Sequence, residues 1–278
     1  MGSGPIQFNL ERCRRDGVCT EVCPVRIIVQ PSREDYPRLI DQAGVYCQRC
    51  GACLAACPHG AIKLLDVSPE DCPAVDPRSA PSRAQVEHFF KTRRSTRVFK
   101  KKPVSRQVLL ELLDIVRYAP SGHNRQPARW LVIDRPKSIH RLADMTVDML
   151  RRLTVDQPQL AASLHLDWTI KGWESGVDRI CRAAPCLVIV YGSRSEATVP
   201  VACSIALAHL ELAAHGFGLG ACWLGYLYWA VSNYASALEA LGLGEDEQPF
   251  GAMALGHPKL RYKRVPPRNQ AVVTWHSG

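Results

Sequence analysis

The stretch that most constrains this chain is Cys47-Gln48-Arg49-Cys50-Gly51-Ala52-Cys53-Leu54-Ala55-Ala56-Cys57-Pro58. Its C-x2-C-x2-C-x3-C-P spacing is that of a bacterial iron–sulfur run, in which three thiolates hold one cluster and the fourth turns away to another. Such a run needs a partner, and one lies upstream: Cys13, Cys19, Cys23 and Pro24 repeat the frame, with Asp16 where the second cysteine should stand. A zinc site would use paired C-x2-C knuckles further apart. Two interlocking runs, each closed by Cys-Pro, favour iron and sulfur. The expected metal ligands are therefore Cys13, Asp16, Cys19, Cys23, Cys47, Cys50, Cys53 and Cys57, serving two clusters. One is expected to be 4Fe-4S. The other is either 4Fe-4S with an Asp16 oxygen ligand or 3Fe-4S, because a carboxylate is a hard donor that can also let its iron leave. The alternative for Asp16 is a turn residue before Gly17.

Seven of the twelve cysteines lie in residues 13 to 57. Cys72, Cys181, Cys186, Cys203 and Cys222 are scattered among apolar or loop residues and read as structural thiols. No signal peptide opens the chain, which points to a reducing, cytoplasmic setting. The formal charge of +9 falls to about +4 once cluster thiolates and a bound phosphate are counted, so nucleic acid is not an expected partner. The apolar span from Val201 to Val231 is interrupted by His209, Glu211, His215 and several glycines; it reads as buried core and not as a membrane span.

Three segments follow from composition. Residues 1–66 form the cluster module, which is poor in large apolar side chains and depends on metal ligation for folding energy. Residues 67–82 carry Pro69, Pro73, Pro77 and Pro81 and read as an extended linker. Residues 83–278 form a larger domain. In it, Ser82 caps a helix carrying Val86, Phe89 and Phe90, and Ser105 opens a second helix ending before Pro120. Further helices are expected over Pro136–Leu153, Trp168–Ala183 and Val201–His215, the last stopped by Gly216, with strands at Trp130–Ile133 and Leu187–Tyr191. Arg93, Arg94, Ser95 and Arg97 suit a phosphate, since guanidinium forks bind its oxygens in pairs; a solvated basic patch is the other reading. Arg12, Arg14 and Arg15 are either a docking loop for an acidic electron carrier or an exposed basic loop.

Arg93-Arg94-Ser95-Thr96-Arg97, then Pro120-Ser121-Gly122-His123-Asn124-Arg125-Gln126-Pro127, resembles the FMN-binding pair of the nitroreductase family. Gly218-Leu219-Gly220-Ala221-Cys222-Trp223-Leu224-Gly225 resembles that family's third signature, and Arg264-Val265-Pro266 its C-terminal phosphate contact. The cluster runs match the branch with a fused ferredoxin domain. The resemblance implies an α+β fold: a nitroreductase-like α/β/α sandwich with a mixed sheet, plus a small two-cluster ferredoxin-like domain. It implies FMN held by Arg93, Arg94, Ser95, Arg97 and Arg264 at the phosphate end, by Ser121 and Asn124 from the partner of a homodimer, and by main-chain amides at Leu224 and Gly225 near the flavin N5. Ala271–Trp275 is then an exchanged strand. No catalytic side chain can be named.

Clusters pass single electrons, whereas an organic substrate takes two, and a flavin converts between them. Gly218-x-Gly220 lacks the third glycine and surroundings of a Rossmann site, so a nicotinamide would have to stack transiently on the flavin; the other expected donor is a carrier protein, a ferredoxin or flavodoxin. The expected activity is two-electron reduction of a small nitro, quinone or activated alkene substrate. The alternatives are a substrate dehydrogenase passing electrons outward through the clusters, and a sensor or carrier without turnover. Tyr226, Tyr228 and Trp229 are pocket candidates or core aromatics.

Overall fold

The computed structural model describes residues 4–276. The chain divides into two compact units, residues 1–80 with Gly122–Arg125, and residues 81–121 with 126–278.

In the first unit the strand β1 (Ile6–Phe8) precedes the first cysteine run, which contains helix α1 (Val18–Val22). The hairpin of β2 (Ile28–Val29) and β3 (Arg38–Leu39) and helix α2 (Ala43–Tyr46) lead to the second run, with α3 (Ala52–Ala56), and β4 (Ile62–Leu64) closes the unit antiparallel to β1. The two runs trace one backbone path twice. Gly17 (φ 78°, ψ −3°) and Gly51 (φ 75°, ψ −3°) open their helices in the left-handed region that glycine tolerates. Cys23 and Cys57 close them at φ −72°, ψ 111°, extended as residues before proline must be. Ile6, Ile27, Ile28, Leu54, Ile62 and Leu64 pack with Cys19, Cys23 and Cys53 into a small core.

The segment expected to be an extended linker carries two 3-10 turns, Pro69–Asp71 and Pro77–Ser79, capped by Ser68 and Asp76. Its residues through Ala80 belong to the first unit, and Arg12 pairs with Glu70 at 2.6 Å between two exposed side chains.

The second unit begins with α4 (Arg83–Thr92), whose Ser82 and Gln85 form a reciprocal capping box, and α5 (Arg106–Val116), capped by Ser105. Then follow β5 (Arg129–Ile133), α6 (Pro136–Asp156), α7 (Pro158–Ser163), α8 (Leu166–Glu174), β6 (Cys186–Ser193) and α9 (Val199–Gly216). The unit continues with β7 (Gly220–Trp223), α10 (Gly225–Asn233), α11 (Ala235–Glu239) and β8 (Glu247–Gly256). The sheet order is β5-β6-β8-β7 with every ladder antiparallel; a parallel bridge between Ser95 and Ala221 gives the sheet its mixed character.

Strand periodicity makes the sandwich. Leu187 and Ile189 of β6 face the same core as Ala252 and Ala254 of β8, under α6, α8 and α10. Cys186, Val188 and Val190 face the other core with Met253 and Leu255, under α5 and α9. Helix α9 is long and apolar enough to cross a membrane by length and composition, yet Val199, Cys203, Leu207, Leu210 and Ala214 pack into this second core.

Two expectations shift. The helix expected to reach Ala183 ends at Glu174, because Gly176 turns at φ 81° and the Asp178 carboxylate captures backbone donors that a helix would need. Helix α9 ends at Gly216, but the left-handed residue that stops it is Gly218 (φ 69°), with the Leu219 N–H donating to the Ala214 carbonyl at 2.8 Å. Ala271–Trp275 forms no strand within the chain, and Val272 and Trp275 are 99% and 88% exposed.

Candidate functional site

The cysteines of the first unit sort into two interleaved sets. Burial pushes the Cys19 thiol up to about 11, and the nearby Cys13, Asp16 and Cys57 push it in the same direction. Burial also pushes Cys53 up to about 11, with Cys50, Cys23 and Cys47 as its charged neighbours. The last cysteine of each run, Cys57 or Cys23, is thus an electrostatic neighbour of the other run's buried thiol. A cavity bounded by Cys23, Cys47, Cys50 and Cys53 marks the second seat. Among the described residues no three His, Cys, Asp or Glu side chains converge as they would on one ion. The raised thiols have a matching cause: buried sulfur resists ionisation until iron supplies positive charge. The Ala61 N–H points at the Cys57 sulfur at 3.4 Å, the kind of outer contact that tunes a cluster.

Asp16 stands among the first set. One carboxylate oxygen accepts the Val18 N–H at 3.2 Å, and the other lies 3.5 Å from Nε2 of His59. His59 escaped the sequence analysis. It follows Cys57-Pro58 and is brought to Asp16 only by the crossing of the two runs.

Two of the second unit's cavities are lined by expected site residues. The larger of these two, about 540 Å³, is lined by Arg93, Arg94, Lys100 and Arg261, with Glu211 and Tyr262. Arg93 Nη1 donates to Glu211 Oε1 at 2.7 Å, and Trp223 Nε1 donates to the other oxygen at 3.1 Å. The Arg94 guanidinium lies 5.6 Å from the Tyr262 ring centroid, and the Tyr262 hydroxyl donates to the Ser95 carbonyl at 3.1 Å. His215 Nε2 and Thr92 Oγ1 are hydrogen-bonded at 3.1 Å, and burial, then Arg93, holds the His215 pKa below the ordinary value.

Of the expected phosphate ligands, the structure gathers Arg93 and Arg94 here. Ser95, Arg97 and Arg264 are not in the lining, and Arg97 and Arg264 are exposed. Lys100 and Arg261, which the sequence did not single out, take part instead. Ser121 accepts the Gln126 N–H at 2.9 Å, and Asn124, in the short segment counted with the first unit, donates to the Arg49 carbonyl at 3.0 Å.

The smaller cavity, about 300 Å³, is lined by Arg179, Arg182, Trp223, Leu224, Gly225, Tyr226 and Trp229. Tyr226 and Trp229 are thus pocket residues, whereas Tyr228 is not in this lining. The Leu224 amide donates to the Ala252 carbonyl at 2.9 Å. Gly225 opens α10, where first-turn N–H groups have no intrahelical acceptor. The remaining cysteines of this unit are core thiols: burial pushes Cys186 and Cys203 up to about 12 and holds Cys181 and Cys222 above the ordinary value.

Residues 90–257 match the Nitroreductase family, and residues 11–62 match the 4Fe-4S dicluster domain. The chain belongs to the nitroreductase family and carries an N-terminal dicluster domain. A relative from Methanothermobacter thermautotrophicus, provisionally named NADH dehydrogenase/NAD(P)H nitroreductase, is 25% identical over 181 residues, covering 64% of this chain and 79% of its own. Among solved structures, a nitroreductase with bound FMN from Bacteroides fragilis superposes with TM-score 0.53 at 24% identity, covering 68% of this chain and 99% of its own. A nitroreductase with bound FMN from Desulfitobacterium hafniense gives TM-score 0.55 at 22% identity over 69% and 97%. These two show the fold.

Proposed function

We propose that the chain is an FMN-dependent oxidoreductase that receives single electrons through two iron–sulfur clusters and reduces a small nitro, quinone or activated alkene substrate by two electrons. The observation that carries this reading is the pairing, in one chain, of two interleaved thiol sets with a basic cavity suited to a phosphate and a second cavity at the start of α10. FMN, when bound, accepts electrons singly and delivers them in pairs.

The residues divide the work. Arg93, Arg94, Lys100 and Arg261 offer positive charge to the phosphate end, with Ser95, Arg97 and Arg264 of the family's pattern close in sequence. Gly225 offers its N–H toward the flavin ring, and Tyr226 and Trp229 wall the substrate space. Reduction of a nitro group to nitroso takes two electrons and two protons and releases water. The Cys23, Cys47, Cys50 and Cys53 set holds a 4Fe-4S cluster. In the other set Asp16, oriented by the Val18 N–H and by His59, stands at the corner without a thiolate, so that cluster is 4Fe-4S with an Asp16 ligand or 3Fe-4S. Exposed Val272 and Trp275, with half-exposed Phe90 on α4, support a homodimer in which Ala271–Trp275 crosses to the partner and Ser121 and Asn124 serve the partner's flavin. All twelve cysteines are free, in keeping with a reducing cytoplasmic setting.

Deleting residues 1–66 tests the relay. The remaining domain is expected to bind FMN and to turn over with a small chemical reductant, while a reduced ferredoxin or flavodoxin drives the full chain alone. Equal carrier-driven rates in both proteins would refute the relay and leave the clusters structural.

A further inference from the structure

The smaller cavity has a feature that flavin chemistry by itself does not require. Two arginines, Arg179 and Arg182, line it, and no carboxylate does. The loop carrying them is built around one side chain. Asp178 accepts the N–H groups of Ile180 at 2.9 Å, Cys181 at 2.8 Å and Ala183 at 2.8 Å. This folds the loop so tightly that Arg182 and Ala183 sit in the left-handed region, at φ 62° and 46°. Side chains with a Cβ avoid that region unless their surroundings impose it, and such residues concentrate where a site needs a fixed geometry.

The two arginines differ in what they do. Arg179 is spoken for: its guanidinium stacks 4.4 Å from the Trp168 ring centroid and donates to the Trp168 carbonyl. It braces the loop against α8. Arg182 makes no hydrogen bond or ion pair among the described residues, and it is half-buried beside Trp223, Tyr226 and Trp229. A partly desolvated guanidinium without an anion is an unfavourable arrangement that a bound carboxylate relieves, in a forked geometry that a lysine cannot reproduce. A space of about 300 Å³ lies at the small end for ligand pockets and fits a one-ring molecule between the aromatic walls.

We propose that Arg182 makes the cavity at the start of α10 selective for a planar organic monoanion: an aryl or α,β-unsaturated carboxylate whose carboxylate is forked on the Arg182 guanidinium. This inference rests on the flavin reading above for the site's purpose, but the anion site itself is a property of Arg182 and can be tested without turnover.

The test uses the full chain loaded with FMN and two matched probes, 4-nitrobenzoate and the neutral 4-nitrobenzamide. Calorimetric titration is expected to show the anion binding at least tenfold more tightly than the amide. Arg182→Gln is expected to remove that difference by weakening the anion alone, with FMN content unchanged, and Arg182→Lys to restore only part of it. In steady-state assays the Arg182→Gln loss should appear in KM for 4-nitrobenzoate. Equal affinity of the wild type for both probes would overturn the proposal. Loss of FMN from Arg182→Gln would also overturn it, because Arg182 would then serve the cofactor. If 4-nitrobenzoate binds through Arg182 but neither probe is reduced, the anion site stands and the oxidoreductase reading fails.

Discussion

Gly220 is the position at which the smallest substitution should have the largest reach. It begins β7, and a Cβ built there would lie 2.5 Å from Thr96 Cβ, 2.4 Å from its hydroxyl and 2.6 Å from its methyl. Thr96 is buried, and its N–H donates to the Ala221 carbonyl at 2.8 Å, which ties the Arg93–Arg97 segment to the edge of the sheet. No rotamer of Thr96 removes its own Cβ, so Gly220→Ala must part the two backbones by about 0.9 Å to reach an ordinary 3.4 Å contact. A similar displacement stretches the Thr96 hydrogen bond from 2.8 Å past 3.5 Å, where it no longer counts as one. Overpacking costs about 1–3 kcal/mol and the lost hydrogen bond about 1 kcal/mol more. The total of roughly 2–4 kcal/mol lowers Tm by about 4–16 °C for a domain of this size. Because Arg93 and Arg94 ride on the displaced segment, FMN affinity should fall with stability. Thermal melts and flavin content after dialysis measure both. Thr96→Gly removes the obstructing carbon, so the double variant should be more stable than the sum of the two single effects by about 0.5–3 kcal/mol. A Gly220→Ala protein with unchanged Tm and flavin content, or a strictly additive double variant, would refute the steric argument.

Asp16→Cys completes a four-thiolate site and is expected to convert a 3Fe-4S signal to a 4Fe-4S one, read by electron paramagnetic resonance and iron content; indistinguishable spectra would remove Asp16 from the ligand position. Arg93→Ala should weaken FMN by about ten- to a hundredfold, equivalent to the roughly 1.5–3 kcal/mol of a charge-assisted hydrogen bond, and full flavin retention after dialysis would count against it. His215, whose folded pKa lies below its ordinary value, leaves the unfolded chain holding more protons as pH falls below about 6.5. Its contribution is therefore a loss of stability beginning near that pH and levelling off below the folded value, and His215→Asn should flatten that part of a Tm-against-pH curve between pH 7.5 and 5.5.

What the sequence disclosed is what chain proximity controls. The cysteine sets were legible because ligand spacing within a run is a local property, and the second run demanded the first. Ser82 and Ser105 declared their helices through residues three positions away. Strands β5 and β6 declared themselves as short apolar runs, whereas β7 and β8 went unread. Most of the failures come from partners distant in the chain, and one from a local competition. Glu211 lies 118 residues from Arg93, and no periodicity links them. His59 reaches Asp16 only because the two runs cross. The helix expected through Ala183 was read from apolar spacing, but the Asp178 carboxylate outcompetes it for three N–H groups. Lys100 and Arg261 carry no motif, and they join the basic cavity because Lys100 N–H pairs with the His257 carbonyl and brings the two ends of the domain together.

Glu211 ties these long-range features into one electrostatic arrangement. It is the single acidic side chain in the lining of the larger cavity, its side chain is 13% exposed, and its two oxygens hold different partners. One neutralises Arg93; the other fixes Trp223, which walls the smaller cavity. A buried carboxylate here keeps Arg93 in place without cancelling Arg94, Lys100 and Arg261, so the net positive charge expected of a phosphate seat survives. The same carboxylate sets the orientation of the indole beside Leu224 and Gly225. The phosphate end and the substrate space are thereby set by one side chain on α9, a helix whose apolar sequence alone had suggested nothing but core.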